Sequence, residues 1–244
     1  TLNVQPRYFS VLLLLLASAC NGAATTTHTV DRECVVLLHG LARTSSSMEL
    51  MAWTLEEAGY RVANIDYPSR RYPIEELAPL AVEAGIHACS DDVDSVHFVT
   101  HSLGGILVRY YFADNKLDTL GRVVMLGPPN QGSNAADALR GVPGFEWLNG
   151  PAGYQLGKGE ESIPLMLGPP DFDVGIIAGN RTIDPITSQV LENPDDGRVS
   201  VSDTRLEGMK DFRVVGASHA FMMQDSEVFD LVRNFLARGS FDAE

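Results

Sequence analysis

The run Val96-His97-Phe98-Val99-Thr100-His101-Ser102-Leu103-Gly104-Gly105 sets a serine among small residues, directly after an apolar β-type segment. A helix-like segment, Ile106 to Ala113, follows at once. This is the setting a nucleophilic serine needs. A tight strand-to-helix turn forces the serine backbone into a sparsely populated conformation and lifts its hydroxyl clear of a sheet. Gly104 and Gly105 let the helix pack close to the strand, and the Leu103 amide is left facing a reacting oxygen. Thr100 stands where the G-x-S-x-G pattern has its first glycine, so the match is partial. An ordinary turn with a capping serine is the plainer reading of the same residues.

A serine nucleophile needs a base for its proton, an acid to orient that base, and donors for the oxyanion. In open parallel sheets such groups gather just beyond the carboxyl ends of the strands. His219 meets that condition in Val214-Val215-Gly216-Ala217-Ser218-His219, after the last strand-like run and before the last helix. His28 falls in a linker, His87 ends a helix, His97 lies inside a strand and His39 belongs to the first loop. His101 adjoins the serine but is expected to point to its opposite side. For the acid, Asn193-Pro194-Asp195-Asp196-Gly197 places two carboxylates between nucleophile and base, and Asp196 is preferred. Asp184 is the main rival because it sits closer to a strand end; Asp195 and Asp203 also fall in the interval. A solvated turn is the bland account of Asp-Asp-Gly. His39-Gly40-Leu41 closes the first strand, and the Leu41 amide can join that of Leu103 as a second oxyanion donor. Each is worth about 3 kcal/mol of transition-state stabilisation.

The elements that must position these residues alternate. Strands are expected at Cys34–Leu38, Tyr60–Tyr67, the run before Ser102, Gly121–Leu126, Val174–Ala178 and Phe212–Val215. Helices are expected at Met48–Ala58, Pro73–Ala88, after Ser102 and at Ser226–Ala237, the first with Leu50, Met51, Trp53 (or Thr54) and Leu55 on its apolar side. Alternation of this kind means βαβ units and a mostly parallel central sheet with helices on both faces. The rhythm breaks from Gly127 to Pro170, where 16 of 44 residues are Gly or Pro, which excludes long regular elements for most of the stretch. Phe145, Trp147, Leu148, Tyr154 and Leu165 on such an irregular excursion fit either a cap or substrate-lining loop over the mouth of the sheet or a long loop whose aromatics simply pin it to the core. We take residues 127–172 as this loop-rich excursion within a domain of residues 33–240.

Residues 1–24 read as a signal segment and 25–32 as a linker. Arg7 precedes an apolar run from Phe9 through Leu16, too short to span a membrane but suited to export. Ala17-x-Ala19 fits ordinary signal cleavage. Leu16-Ala17-Ser18-Ala19-Cys20 resembles a bacterial lipobox, with Ala17 where leucine usually stands, and would anchor the protein to a membrane through a lipidated Cys20. The destination is the exterior, the periplasm or a bacterial membrane surface. An oxidising compartment permits a disulfide between Cys34 and Cys89; two buried thiols are the alternative. The net charge of −14 argues against nucleic acid as a partner.

Taken with Val35 to Leu41, Leu126-Gly127-Pro128-Pro129-Asn130-Gln131-Gly132-Ser133, Asp195-Asp196-Gly197 and Ser218-His219, the serine motif resembles the α/β-hydrolases of the bacterial lipase and esterase kind, over residues 33 to 238. The resemblance implies an α/β-hydrolase fold and a catalytic triad of Ser102, Asp196 and His219 in that chain order. It implies cleavage of carboxylic esters, of acyl-lipid substrates above all, with no organic cofactor and no metal. An acyltransferase with the same triad, or a non-catalytic binding protein on the same fold, is the alternative.

Overall fold

The computed structural model describes residues 30–89 and 92–243; residues 1–24, expected to be a signal segment, and Cys20 lie outside them. Six strands form one parallel sheet in the order β2-β1-β3-β4-β5-β6. They are β1 (Glu33–Leu38), β2 (Arg61–Ile65), β3 (Ser95–His101), β4 (Leu120–Leu126), β5 (Val174–Gly179) and β6 (Asp211–Val215). β1 and β5 are buried at every position, whereas the edge strands β2 and β6 are mostly half-exposed. That difference is why the central strands read as unbroken apolar runs: both faces are covered.

Side chains alternate across the sheet. Val36 and Leu38 face α2 (Ile74–Ala88) and α3 (Leu103–Asp114), whereas Val35 and Leu37 face α1 (Glu49–Glu57) and α8 (Ser226–Arg238). The first face gathers Leu77, Ala81, Phe98 and Ile106, and the second Met51, Leu55, Val232 and Phe235. In α1 the buried positions are Met51, Ala52 and Leu55, joined by Met48 just before the helix, a spacing of three, four and seven. Leu50 and Trp53, expected on that apolar side, are instead exposed at 44% and 58%. α8 starts on Asp225, whose side chain accepts from the Glu227 amide, and ends on Gly239 at φ 75°.

Cys34 and Cys89 form a disulfide with Cα atoms 5.7 Å apart, tying the start of β1 to the end of α2. The sequence leaves that choice open because it carries no Cα separation.

The Gly/Pro-rich excursion is more helical than its composition indicates. It contains α4 (Asn134–Leu139), α5 (Phe145–Gln155) and α6 (Ile163–Met166). Glycine and proline fall at the breaks: Gly144 caps α5 at φ 90°, and α5 kinks at Gly150 before Pro151. Arg109 of α3 fastens the excursion from beneath. Its buried guanidinium donates to the carbonyls of Asn130, Pro164, Leu167 and Gly168 and to Asn130 Oδ1. No carboxylate pairs with it among the described residues, and burial lowers its pKa to about 10.

The chain leaves β1 for β2 on one side and returns to β3 on the other. The β1/β3 boundary is therefore where connections diverge and a crevice opens beyond the strand ends.

Candidate active site

Ser102 sits in that crevice, between β3 and α3, with φ 53° and ψ −116°. Among the described residues only Ala42 (φ 56°) shares a positive φ without being glycine. Each such conformation costs about 1–3 kcal/mol and persists only where its surroundings enforce it. Here the Ser102 amide donates to Leu126 O at 2.9 Å, and its carbonyl accepts from the Gly105 amide at 3.1 Å. Gly104 lets α3 come this close, since a Cβ there would lie 2.6 Å from Leu38 O. Both strained residues line one cavity of about 710 Å³.

The loops that carry Asp196 and His219 meet beside it. The carboxylate Oδ2 of Asp196 accepts from His219 Nδ1 at 2.8 Å. Its Oδ1 accepts from the Arg198 amide at 2.9 Å and the Val199 amide at 2.8 Å. The His219 amide donates to Asp196 O at 3.0 Å, so backbone as well as side chain fixes the pair. Asp196 is fully buried, and these donors replace the water it loses. With the Nδ1 proton on the Asp196 side, His219 keeps a lone pair on Nε2. His219 and Ser102 line the same cavity but do not hydrogen-bond to each other among the described residues. Such bonds are often long without substrate and tighten when it binds.

The rival acids are occupied elsewhere. Asp184 pairs with Arg198 Nη2 at 3.2 Å and caps its own turn through the Ile186 and Thr187 amides. Asp195 accepts from the Gly197 amide and the Ser188 hydroxyl, and Asp203 from Lys158 Nζ.

The Leu41 and Leu103 amides are the remaining donors. Among the described residues neither is hydrogen-bonded to protein, and Leu103 opens α3, where a helix leaves its amides without internal partners. The first loop is fixed by His39, whose ring stacks on Tyr67 with centroids 4.1 Å apart. His39 Nδ1 donates to Gly40 O, its Nε2 accepts from the Tyr67 amide, and the Tyr67 hydroxyl donates to His39 O. Burial pulls His39 below the usual imidazole range and pushes the Tyr67 phenol up.

His101 does not point away from the site. Strand alternation would turn it from Ser102, but alternation ends at the elbow, and the β6–α8 loop folds back over it. Its Nε2 donates to His219 O at 3.0 Å, and the two rings lie 4.7 Å apart. Burial, then the neighbouring His219 and Arg43, hold its pKa well below the usual range. His101 is thus a neutral floor under His219 that adds no second charge beside it. Its position next to Ser102 was visible in the sequence, but its packing was not. Arg43, Arg70 and Arg198 also line the cavity, and nothing in their spacing announced it. Among the described residues no group of three or more His, Cys, Asp or Glu is arranged to hold a metal ion.

A model of the alpha/beta hydrolase family matches residues 35–182. No curated protein matches the chain. Among solved structures, the mature form of the Bacillus licheniformis lipase BlEst2 superposes with TM-score 0.68 at 20% identity, over 84% of this chain and 92% of that one. The phospholipase PlaB from Legionella pneumophila gives 0.62 at 21%, over 77% of this chain and 53% of that one. An esterase of Pyrococcus furiosus gives 0.60 at 16%, over 85% and 82%. At these identities the likeness speaks to the fold.

Proposed function

Because this chain belongs to the alpha/beta hydrolase family, we propose that it is a serine hydrolase of carboxylic esters, acting on acyl chains through an acyl-enzyme. The observation that carries the reading is the buried Asp196–His219 pair at 2.8 Å, beside a strained Ser102 in the same cavity. A capping serine in an ordinary turn would need neither the strain nor the pair.

Ser102 Oγ attacks the ester carbonyl carbon while its proton passes to His219 Nε2. Asp196 holds the imidazole in the tautomer that can accept it and stabilises the imidazolium that forms. The carbonyl oxygen gathers charge that the Leu41 and Leu103 amides would stabilise, neither of which has a protein acceptor among the described residues. The bond to the alcohol oxygen then breaks, and the alcohol leaves with the proton from His219. Water repeats the sequence on the acyl-enzyme, giving the carboxylic acid and free Ser102. Ala135, Ala136, Leu139, Val142 and Leu156 give the cavity an apolar wall suited to an acyl chain. The disulfide accords with an exported protein, and we extend the proposal to export, through the signal segment.

The test is turnover of p-nitrophenyl butyrate and palmitate by the protein and by Ser102→Ala. The expected result is a loss of about 10⁴–10⁶-fold in kcat for the variant. A folded wild-type protein that turns over neither ester, or a Ser102→Ala variant that keeps the rate, overturns the proposal.

A further inference from the structure

The chain carries a net charge of −14, yet the cavity at Ser102 is lined by three arginines and, among the described residues, by no aspartate or glutamate. Arg43 follows β1, Arg70 follows β2 and Arg198 follows β5, so three separate loops bring cations to one mouth. Arg198 is paired with Asp184, but no carboxylate pairs with Arg43 or Arg70 among the described residues. Arg43 is partly buried, and its Nη2 donates to Ala220 O at 3.2 Å, leaving four of its five N–H groups for another acceptor. Burial, then the charge of Arg198, hold Arg43 below the usual guanidinium range.

We propose that the cavity takes acyl esters with a phosphate-type anionic head group, held by Arg43, Arg70 and Arg198, while the acyl chain lies along the apolar wall from α4 and α5. This rests on the serine hydrolase reading and adds the substrate class to it. The planar guanidinium fork matches phosphate oxygens; Arg43 is partly buried and discriminates charge most sharply, while Arg70 and Arg198 are exposed at the mouth.

Two measurements on wild type, Arg43→Gln, Arg43→Lys and Arg70→Gln test the proposal. The first compares kcat/KM for 1-decanoylglycerol 3-phosphate with that for 1-decanoylglycerol. The second is calorimetric binding of decyl phosphate, decyl glucoside and inorganic phosphate. Wild type is expected to prefer the phosphate ester by about tenfold or more, and Arg43→Gln to lower that preference by about 10–100-fold. Arg43→Lys should restore part of it, keeping the charge without the fork. Arg70, in an exposed loop, provides a second variant should Arg43→Gln fail to fold. Equal turnover of the two esters, with decyl phosphate binding no tighter than decyl glucoside, overturns the head-group site and leaves the hydrolase reading intact. Arginine-dependent binding of decyl phosphate without cleavage of either ester supports the site and overturns the hydrolase reading. Inorganic phosphate binding as tightly as decyl phosphate marks a free-anion site and overturns the acyl part of the proposal.

Discussion

Replacing Asp196 with asparagine should leave the fold in place and nearly abolish turnover, because the hydrogen bonds around it fix which way the new amide must face. Oδ1 accepts from two backbone amides, of Arg198 and Val199. Only the oxygen of an asparagine can occupy that position, since an NH₂ there would meet two donors and leave three groups unsatisfied. The NH₂ is therefore directed at His219 Nδ1, which must turn acceptor, and the ring proton moves to Nε2. In that tautomer His219 cannot take the proton of Ser102. A wrong tautomer in the serine protease triad lowers kcat about 10⁴-fold, or about 5.4 kcal/mol at 1.36 kcal/mol per decade. The same loss is expected here for p-nitrophenyl butyrate, with an unchanged melting curve showing that the fold survives. Asp184→Asn, which breaks the pair with Arg198, should change that rate by less than about threefold, as expected for an exposed ion pair. A loss below about tenfold in Asp196→Asn, or a larger loss in Asp184→Asn, would refute the tautomer reasoning.

Three further outcomes follow from the packing. His39 and His101 have pKa values lowered by burial, so the unfolded chain binds protons that the fold refuses as pH falls below 6.5. Stability should fall with pH in that window by up to about 1.4 kcal/mol per unit for each histidine; Asp184 and Asp211, lowered from 3.8, act only at lower pH. A melting temperature that is flat between pH 7 and 5 would contradict this. Arg109→Leu strands the buried carbonyls of Pro164, Leu167 and Gly168 and should cost about 3 kcal/mol or more, seen as a drop of about 6–12 °C in Tm; a shift under about 2 °C would show that the excursion is held by other contacts. Reducing the Cys34–Cys89 bond, which closes a separation of 55 residues, should lower stability by about 2–4 kcal/mol, read as a lower denaturant midpoint with a slope that stays equal or rises as the freed unfolded chain expands. An unmoved midpoint would place the bond outside the cooperative unit.

The parallel sheet was legible because β1, β3, β4 and β5 are largely buried on both faces and read as apolar runs. Ser102 and His219 stood out because they follow β3 and β6, where a parallel sheet collects its polar groups, whereas Asp196, far beyond β5, was preferred only through the family resemblance; its contact with His219 Nδ1 is a matter of long-range packing. Long-range packing was not legible. His101 was misplaced because alternation along β3 stops at the elbow. The apolar side of α1 was misjudged because Leu50 and Trp53 look like core yet stand in solvent, which composition alone does not reveal. α4–α6 were hidden by glycines and prolines that sit at helix breaks rather than excluding helices. Arg109 gave no signal, since its partners are carbonyls contributed by residues 21 to 59 positions away. The same limit hid the three arginines of the cavity, which come together only once the loops after β1, β2 and β5 share one mouth.

The most direct test of the account is covalent labelling of the folded protein with a long-chain alkyl fluorophosphonate, read by intact mass and peptide mapping. The account predicts one adduct, on Ser102, absent in Ser102→Ala and formed about 10³–10⁴ times more slowly in Asp196→Asn. No adduct on the folded wild-type protein, or one that survives Ser102→Ala, would contradict the assignment of Ser102 as an activated nucleophile.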